Sequence, residues 1–187
     1  LHLPLGYSYE NVLTLDPVLD NAGYRTFRNE LGKLPFVKAV SFSNGLMIEG
    51  GHNNTQNIKN AKGGPNKSMS FEQLNVDSAF IKMFGIRITE DRKLQPDKHN
   101  WFFSENTVKV AHELGYTDYI VTDYDDKYVI GGTIGDISIR TVLFPSSEYV
   151  LMNIVPNDSI KYPGGICVQV YDGDLKTYKE RIDSTYA

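Results

Sequence analysis

A chain of 187 residues that is 41% hydrophobic and 12% aromatic is long enough to bury a core, as one larger domain or two small intertwined ones. A formal net charge of −4, with no block of consecutive Lys and Arg, excludes the basic footprint that a phosphate backbone requires, and with it nucleic acid as a partner. One cysteine, Cys167, excludes an internal disulfide framework and a multi-cysteine metal site, and no apolar stretch approaches the ~18 residues of a membrane span.

Leu1-His2-Leu3-Pro4 carries no initiator Met and no secretory apolar region, which gives the expectation of a piece excised from a larger protein. Asn11 to Leu15 alternates and ends at Asp16-Pro17, as a strand running into a turn does. Tyr24, Phe27, Leu31 and Leu34 then recur at helical spacing, with Asp20 or Asn21 as cap and Gly32 near the end. Val37 to Phe42 returns to strand character and completes a β-α-β unit.

From Ser43 to Ser70 the chain turns to Gly, Asn and Lys, which predicts a long mobile loop or ragged hairpin with few core anchors. A very short helix follows over 77–85. At about 100° per residue, Phe80, Ile81, Met83 and Phe84 cover roughly half its circumference, and Ser78 and Lys82 take the rest. Apolar stripes of this kind are usually core, so core packing is expected before a ligand lid. Trp101-Phe102-Phe103 predicts a strand that enters a helix at Ser104, running through Leu114 to Gly115, with Val108, Ala111 and Leu114 on its apolar side and His112 on its polar margin.

Lys127 to Arg140 is strand-rich, and Gly131, Gly132 and Gly135 imply a bulge, a bend or a close backbone approach. Strands follow over 148–155 and 165–171, and Leu175, Tyr178 and Ile182 mark a last helix capped near Asp174. Cys167, inside the last strand, reads as structural.

Motifs for covalent chemistry are scarce. His2, His52, His99 and His112 form no His-x-x-x-His pair, and the Gly-x-Ser-x-Gly elbow of a serine hydrolase is missing. The acidic clusters at 122–126 and 172–174 lack the ligand spacing of a calcium loop and read as turns, while Gly131 to Gly135 lacks the Lys and Ser/Thr of a phosphate cradle. Glycosylation sequons occur at Asn53, Asn66 and Asn157, a pattern frequent by chance.

Several modest motifs, in order, resemble the MacB-like periplasmic core domain of FtsX-like ABC transporter permeases, especially those of Bacteroides-type bacteria. Gly6 to Leu13 resembles the stretch after that family's first membrane helix, and Phe27 to Leu31 with Leu34 to Ser41 its first helix and second strand. Val76-Asp77, Phe80 and Phe84-Gly85-Ile86 match its "VD..F...FGI" signature. Ser104 to Gly115 is similar to its "NE(T)...LG" helix, and Tyr128 to Asp136 to a later strand. The sequence departs from the pattern at Glu90-Asp91-Arg92, where the family has Gly-Arg, and at Ser104-Glu105-Asn106, where it has Asn-Glu.

The resemblance implies an α+β fold: a porter-like subdomain built from both chain ends, 1–48 and 161–187 without the usual last strand, and an inserted sabre-like subdomain over 49–160. It implies a non-enzymatic domain on the periplasmic side of a bacterial cytoplasmic membrane that relays ATP-driven conformational change to a periplasmic client or partner. The implied partners are its own transmembrane helices and a cytoplasmic ATPase subunit, with a dimer in the full transporter. No cofactor is expected in the domain itself, since ATP belongs to the ATPase. Composition and apolar spacing select Gly51, His52, Asn53, Asn54 and Lys62 as candidate partner contacts, and Asp77, Phe80, Phe84 and Gly85 as candidate hinge or insertion packing. A free-standing extracellular ligand- or glycan-binding module using Trp101 and the many tyrosines is the competing expectation, with a hydrolase of unfamiliar motif behind it.

Overall fold

The computed structural model describes residues 5–45, 52–94, 100–139, 149–156, 160 and 164–186. Among these residues ten strands and four helices are mixed in one α/β architecture. The strands are β1 (Val12–Leu15), β2 (Val37–Ser43), β3 (His52–Ile58), β4 (Lys67–Val76), β5 (Ile88–Asp91), β6 (Asn100–Ser104), β7 (Tyr119–Val121), β8 (Lys127–Ile134), β9 (Tyr149–Ile154) and β10 (Gly165–Val170). The helices are α1 (Asn21–Leu31), α2 (Ser78–Met83), α3 (Glu105–Glu113) and α4 (Leu175–Tyr186). One sheet joins all the strands in the order β1-β10-β2-β4-β9-β6-β8-β5, with β3 on β4 and β7 on β8.

Local chemistry accounts for the helix limits. The Asp20 carboxylate accepts from the Gly23 amide at the start of α1, and Tyr24, Phe27 and Leu31 are its buried residues. Asp174 holds the first turn of α4 through the Lys176 amide and the Thr177 hydroxyl. Those hydrogen bonds, Thr177's first, keep the Asp174 carboxyl below the usual carboxylate range. α3 gives way to Gly115, whose φ of 91° is the left-handed conformation that glycine adopts without strain.

Pairing assigns the two faces of the sheet. Val40 and Phe42 of β2 with Ile166, Val168 and Val170 of β10 pack with α1 and α4, while Phe71, Phe103 and Leu151 pack with α3. Cys167, Leu74, Val150 and Met152 lie in the cluster that holds α2. Since Ser43 pairs with Val76, alternation along the strands puts α1, α3 and α4 on one face and α2 on the other. The bulge expected among the glycines is at Gly131: Trp101 pairs with Ile130 but Phe102 with Gly132. Through that extra residue Ile130 and Ile134, which would share a face in a regular strand, enter the α3 and α2 clusters respectively. Gly132 has no room for a side chain, because a Cβ there would stand 2.5 Å from the Glu90 carbonyl oxygen and against the Phe102 ring.

Of the two expectations for the glycine- and asparagine-rich stretch, its described part is the hairpin. β3 and β4 pair antiparallel over seven positions, from His52 opposite Gln73 to Ile58 opposite Lys67. Buried Ile58, Met69 and Phe71 anchor the pair, enough to fix a hairpin whose other face is polar. Trp101 lies in the strand its apolar run predicts and departs from the competing ligand-binding expectation. It is only 7% exposed and packs beside Tyr128 in the α3 cluster, so it is unavailable to a surface ligand.

Candidate functional site at the β2–β4 join

The sheet is held unevenly. Among the described residues β2 and β10 pair over six positions, and β4 and β9 over six, but β2 meets β4 at the single pair Ser43 and Val76. Asn44 reinforces this narrow join: its amide donates to the Asn75 carbonyl at 3.1 Å, and its side-chain oxygen accepts from the Asn75 amide at 2.7 Å. Asp77 follows directly and is fully buried. One of its oxygens accepts from the Ser41 hydroxyl at 2.6 Å and from the Phe80 amide at 2.9 Å; the other accepts from the Phe42 amide at 3.2 Å. A single carboxylate thus caps α2 and ties that helix to β2, 35 residues earlier in the chain.

α2 carries the apolar face read from its spacing. Phe80, Ile81, Met83 and Phe84 are buried, and Ser78 and Lys82 are exposed. The Phe80 and Phe84 rings lie 4.5 Å apart at 45°. Gly85, with φ of 60°, turns the chain out of the helix, and a Cβ there would meet nothing within 4 Å, so backbone conformation and not space is its constraint. Below the helix sits Cys167, whose thiol is pushed up to about 12 by burial and secondarily by the charge of Asp77. It is an inert core residue.

The segment before β1 completes the site, and sequence reasoning gave it no role here. Tyr7 stands edge-on to Phe84 at 6.0 Å and 76°, and the Ser8 amide donates to the Phe84 carbonyl at 2.8 Å. The Leu5 carbonyl accepts from the Ser138 amide at 2.9 Å. Gly6, with φ of 74°, passes so close to the Asp136 carbonyl that a Cβ would collide with it. Burial pushes the Tyr7 phenol up, and Tyr9 adds to the effect. Only the left-handed-tolerant Gly6 inside a Tyr-rich run could have hinted at this packing.

The hairpin candidates fall elsewhere. His52 and Asn53 are exposed and Asn54 half-buried, while Gly51 lies outside the described residues. Asn53 donates to Glu72 at 3.0 Å and accepts from the Ser70 hydroxyl at 3.1 Å, and Asn54 accepts from Gln56. Lys62 places its ammonium on the carbonyls of His112 and Glu113 at 3.2 and 2.8 Å, where a cation complements the C-terminal end of α3. His112 itself is exposed. His2, His99 and the Asn157 sequon lie outside the described residues. Among the described residues no group of three or more His, Cys, Asp or Glu side chains could hold a metal ion. The Ser104 hydroxyl makes no cap bond to α3. It pairs with the Thr107 hydroxyl at 2.7 Å, and both oxygens accept from the Val150 amide at 3.2 Å, which ties α3 to β9.

In comparisons with solved structures, the periplasmic region of MacB from Actinobacillus actinomycetemcomitans aligns with a TM-score of 0.56 at 13% identity, over 98% of this chain and 86% of that one. This chain has the fold of the MacB periplasmic domain. A domain assigned to a permease protein from Porphyromonas gingivalis aligns with a TM-score of 0.52 at 16% identity, over 84% of this chain and 67% of that one. No protein-family model matches the chain, and no curated protein matches it in sequence. At such low identity the MacB-like fold rests on element order and pairing. No helix among the described residues is long and apolar enough to cross a membrane.

Proposed function

We propose that this chain is the extracytoplasmic domain of an ABC transporter permease, standing on the periplasmic side of the cytoplasmic membrane and relaying ATP-driven movement to a periplasmic client or partner. The observation that carries the proposal is the MacB-like fold extending over 98% of the chain. In this reading its partners are its own transmembrane helices and a cytoplasmic ATPase subunit that binds the ATP, with two copies in the transporter. The domain needs no cofactor and does no covalent chemistry.

The division of labour follows the narrow join. Residues 1–48 and 161–187 form the porter-like part and 49–160 the inserted part, and the single β2–β4 pair with the Asp77 carboxylate lies at their junction. Phe80 and Phe84 serve as packing of that joint. The polar start of β3, where His52 and Asn54 lie on one face and Asn53 on the other, is the contact for a client or partner, and Lys62 supports it by holding the turn after β3 on α3. The glycan-binding alternative loses its principal aromatic, because Trp101 is core.

The test is isolation of the full-length protein from its own cells. Recovery from the membrane fraction with a nucleotide-binding ATPase subunit supports the proposal; recovery as a soluble protein without one overturns it. The contact face is tested separately in that protein by replacing His52 and Asn54 with Glu, since removing the whole hairpin would also remove buried Ile58.

A further inference from the structure

We propose that residues 5–9 act as a strap whose docking sets the stability of α2, so that a displacement of this segment is felt first at the helix and only later in the sheet. α2 has six residues, well below the length at which a helix holds itself together in water, so its order comes from what packs on it. At its N-terminal end that is Asp77. At its C-terminal end the last backbone bonds, from the Phe84 amide to the Phe80 carbonyl and from the Ile86 amide to the Ile81 carbonyl, are both 3.0 Å. The strap lies directly on this end, with the Tyr7 ring on Phe84 and the Ser8 amide on the Phe84 carbonyl.

The other side of the strap is fixed as well. Leu5 accepts from Ser138, Gly6 abuts the Asp136 carbonyl, and Ile137 and Ile139 join the cluster that contains Phe80 and Phe84. Residues 5–8 therefore bridge α2 and the segment after β8, with Tyr9 exposed beyond them. The chain then passes through Asn11, held at φ of 57°, whose carbonyl accepts from the Val170 amide at 2.9 Å before β1 begins. This second fastening separates the strap from the sheet: a force on residues 5–9 loads α2, while β1 stays registered on β10. The clamp goes beyond the permease reading and is measurable without it.

Hydrogen exchange of individual amides in the chain itself tests the proposal. Tyr7→Ala removes the ring on Phe84, and Gly6→Ala forces the strap off Asp136 while leaving every apolar side chain in place. Either variant is expected to speed exchange of the Phe84 and Ile86 amides by about tenfold or more, with Gly32 and Leu34 at the end of α1 and Val168 in β10 unchanged. Tyr7→Phe keeps the ring and is expected to exchange as the parent does. Unchanged exchange at Phe84 and Ile86, or an equal acceleration at all these amides, would overturn the proposal.

Discussion

Replacing Asp77 with alanine removes the carboxylate that hydrogen-bonds α2 to β2. Three buried donors then lose their acceptor: the Ser41 hydroxyl and the amides of Phe42 and Phe80. The hydroxyl suffers least, because it can turn to the Phe42 carbonyl, already 3.4 Å away. Each buried amide left without a partner costs roughly 1–3 kcal/mol, the Phe80 amide including the lost helix cap. Relief of the buried carboxylate's desolvation offsets part of this. The net destabilisation expected for Asp77→Ala is about 3 kcal/mol. Asp77→Asn, which keeps one acceptor oxygen but turns an NH2 toward the donors, is expected to lose about 2 kcal/mol. Urea unfolding followed by the fluorescence of Trp101, the chain's single tryptophan, reads the effect. With a urea dependence of about 2 kcal/mol per molar, the Asp77→Ala midpoint should fall by about 1.5 M. A fall under about 0.3 M, the size of an ordinary surface substitution, would refute the reasoning.

Glycine substitutions separate lack of space from backbone conformation. Gly132→Ala, which would press on the Glu90 carbonyl and the Phe102 ring, should cost about 2–3 kcal/mol, whereas Gly85→Ala should cost about 1 kcal/mol, through its φ of 60° alone. Equal losses in urea unfolding would show the β5–β6–β8 packing to be looser than described. Lys62→Met should lose about 0.5–1 kcal/mol, with the loss shrinking in high salt, because the ammonium acts on the end of α3; a salt-independent loss would contradict that role. For Cys167 the folded thiol is raised from 9.0 to about 12, so its contribution is fully present below pH 9 and fades as pH rises toward 12, where the unfolded chain ionises first. Stability should accordingly fall more steeply over this interval in the parent than in Cys167→Ala, and parallel curves would show that the thiol is not so perturbed.

The sequence was most legible where local signals coincide. Asp20 before the Tyr24, Phe27 and Leu31 spacing and Gly115 after Leu114 each combine a cap or stop with an apolar period, Phe80 to Phe84 supply the period alone, and the helices lie there. The glycine run of β8 announced a bulge, and Gly131 is its extra residue. β4 was obscured because, as a strand with neighbours on both sides, it buries Glu72 and Gln73 among its apolar residues and loses the alternation that marks a one-sided strand. β5 is exposed at every position, and β7 has three residues, too few to show a period.

The candidate site divides the same way. The short apolar helix over 77–85 was visible in its spacing, whereas the capping role of Asp77 emerged only in the structure. Its bonds to Ser41 and Phe42, and the packing of Tyr7 and Ser8 on Phe84, join segments 35 to 77 residues apart, and no local pattern encodes such contacts. Lys62 illustrates the reverse: chosen for its exposure in a polar stretch, it is fastened to α3.

The most direct test of the central claim is affinity isolation of the full-length protein from membranes of its native cells, with identification of what accompanies it. The account predicts membrane recovery together with an ATP-binding subunit, and exposure of residues 52–54 to an impermeant label applied from the periplasmic side. A protein found in the soluble fraction, or labelled at 52–54 only after the cytoplasmic membrane is broken, would contradict it.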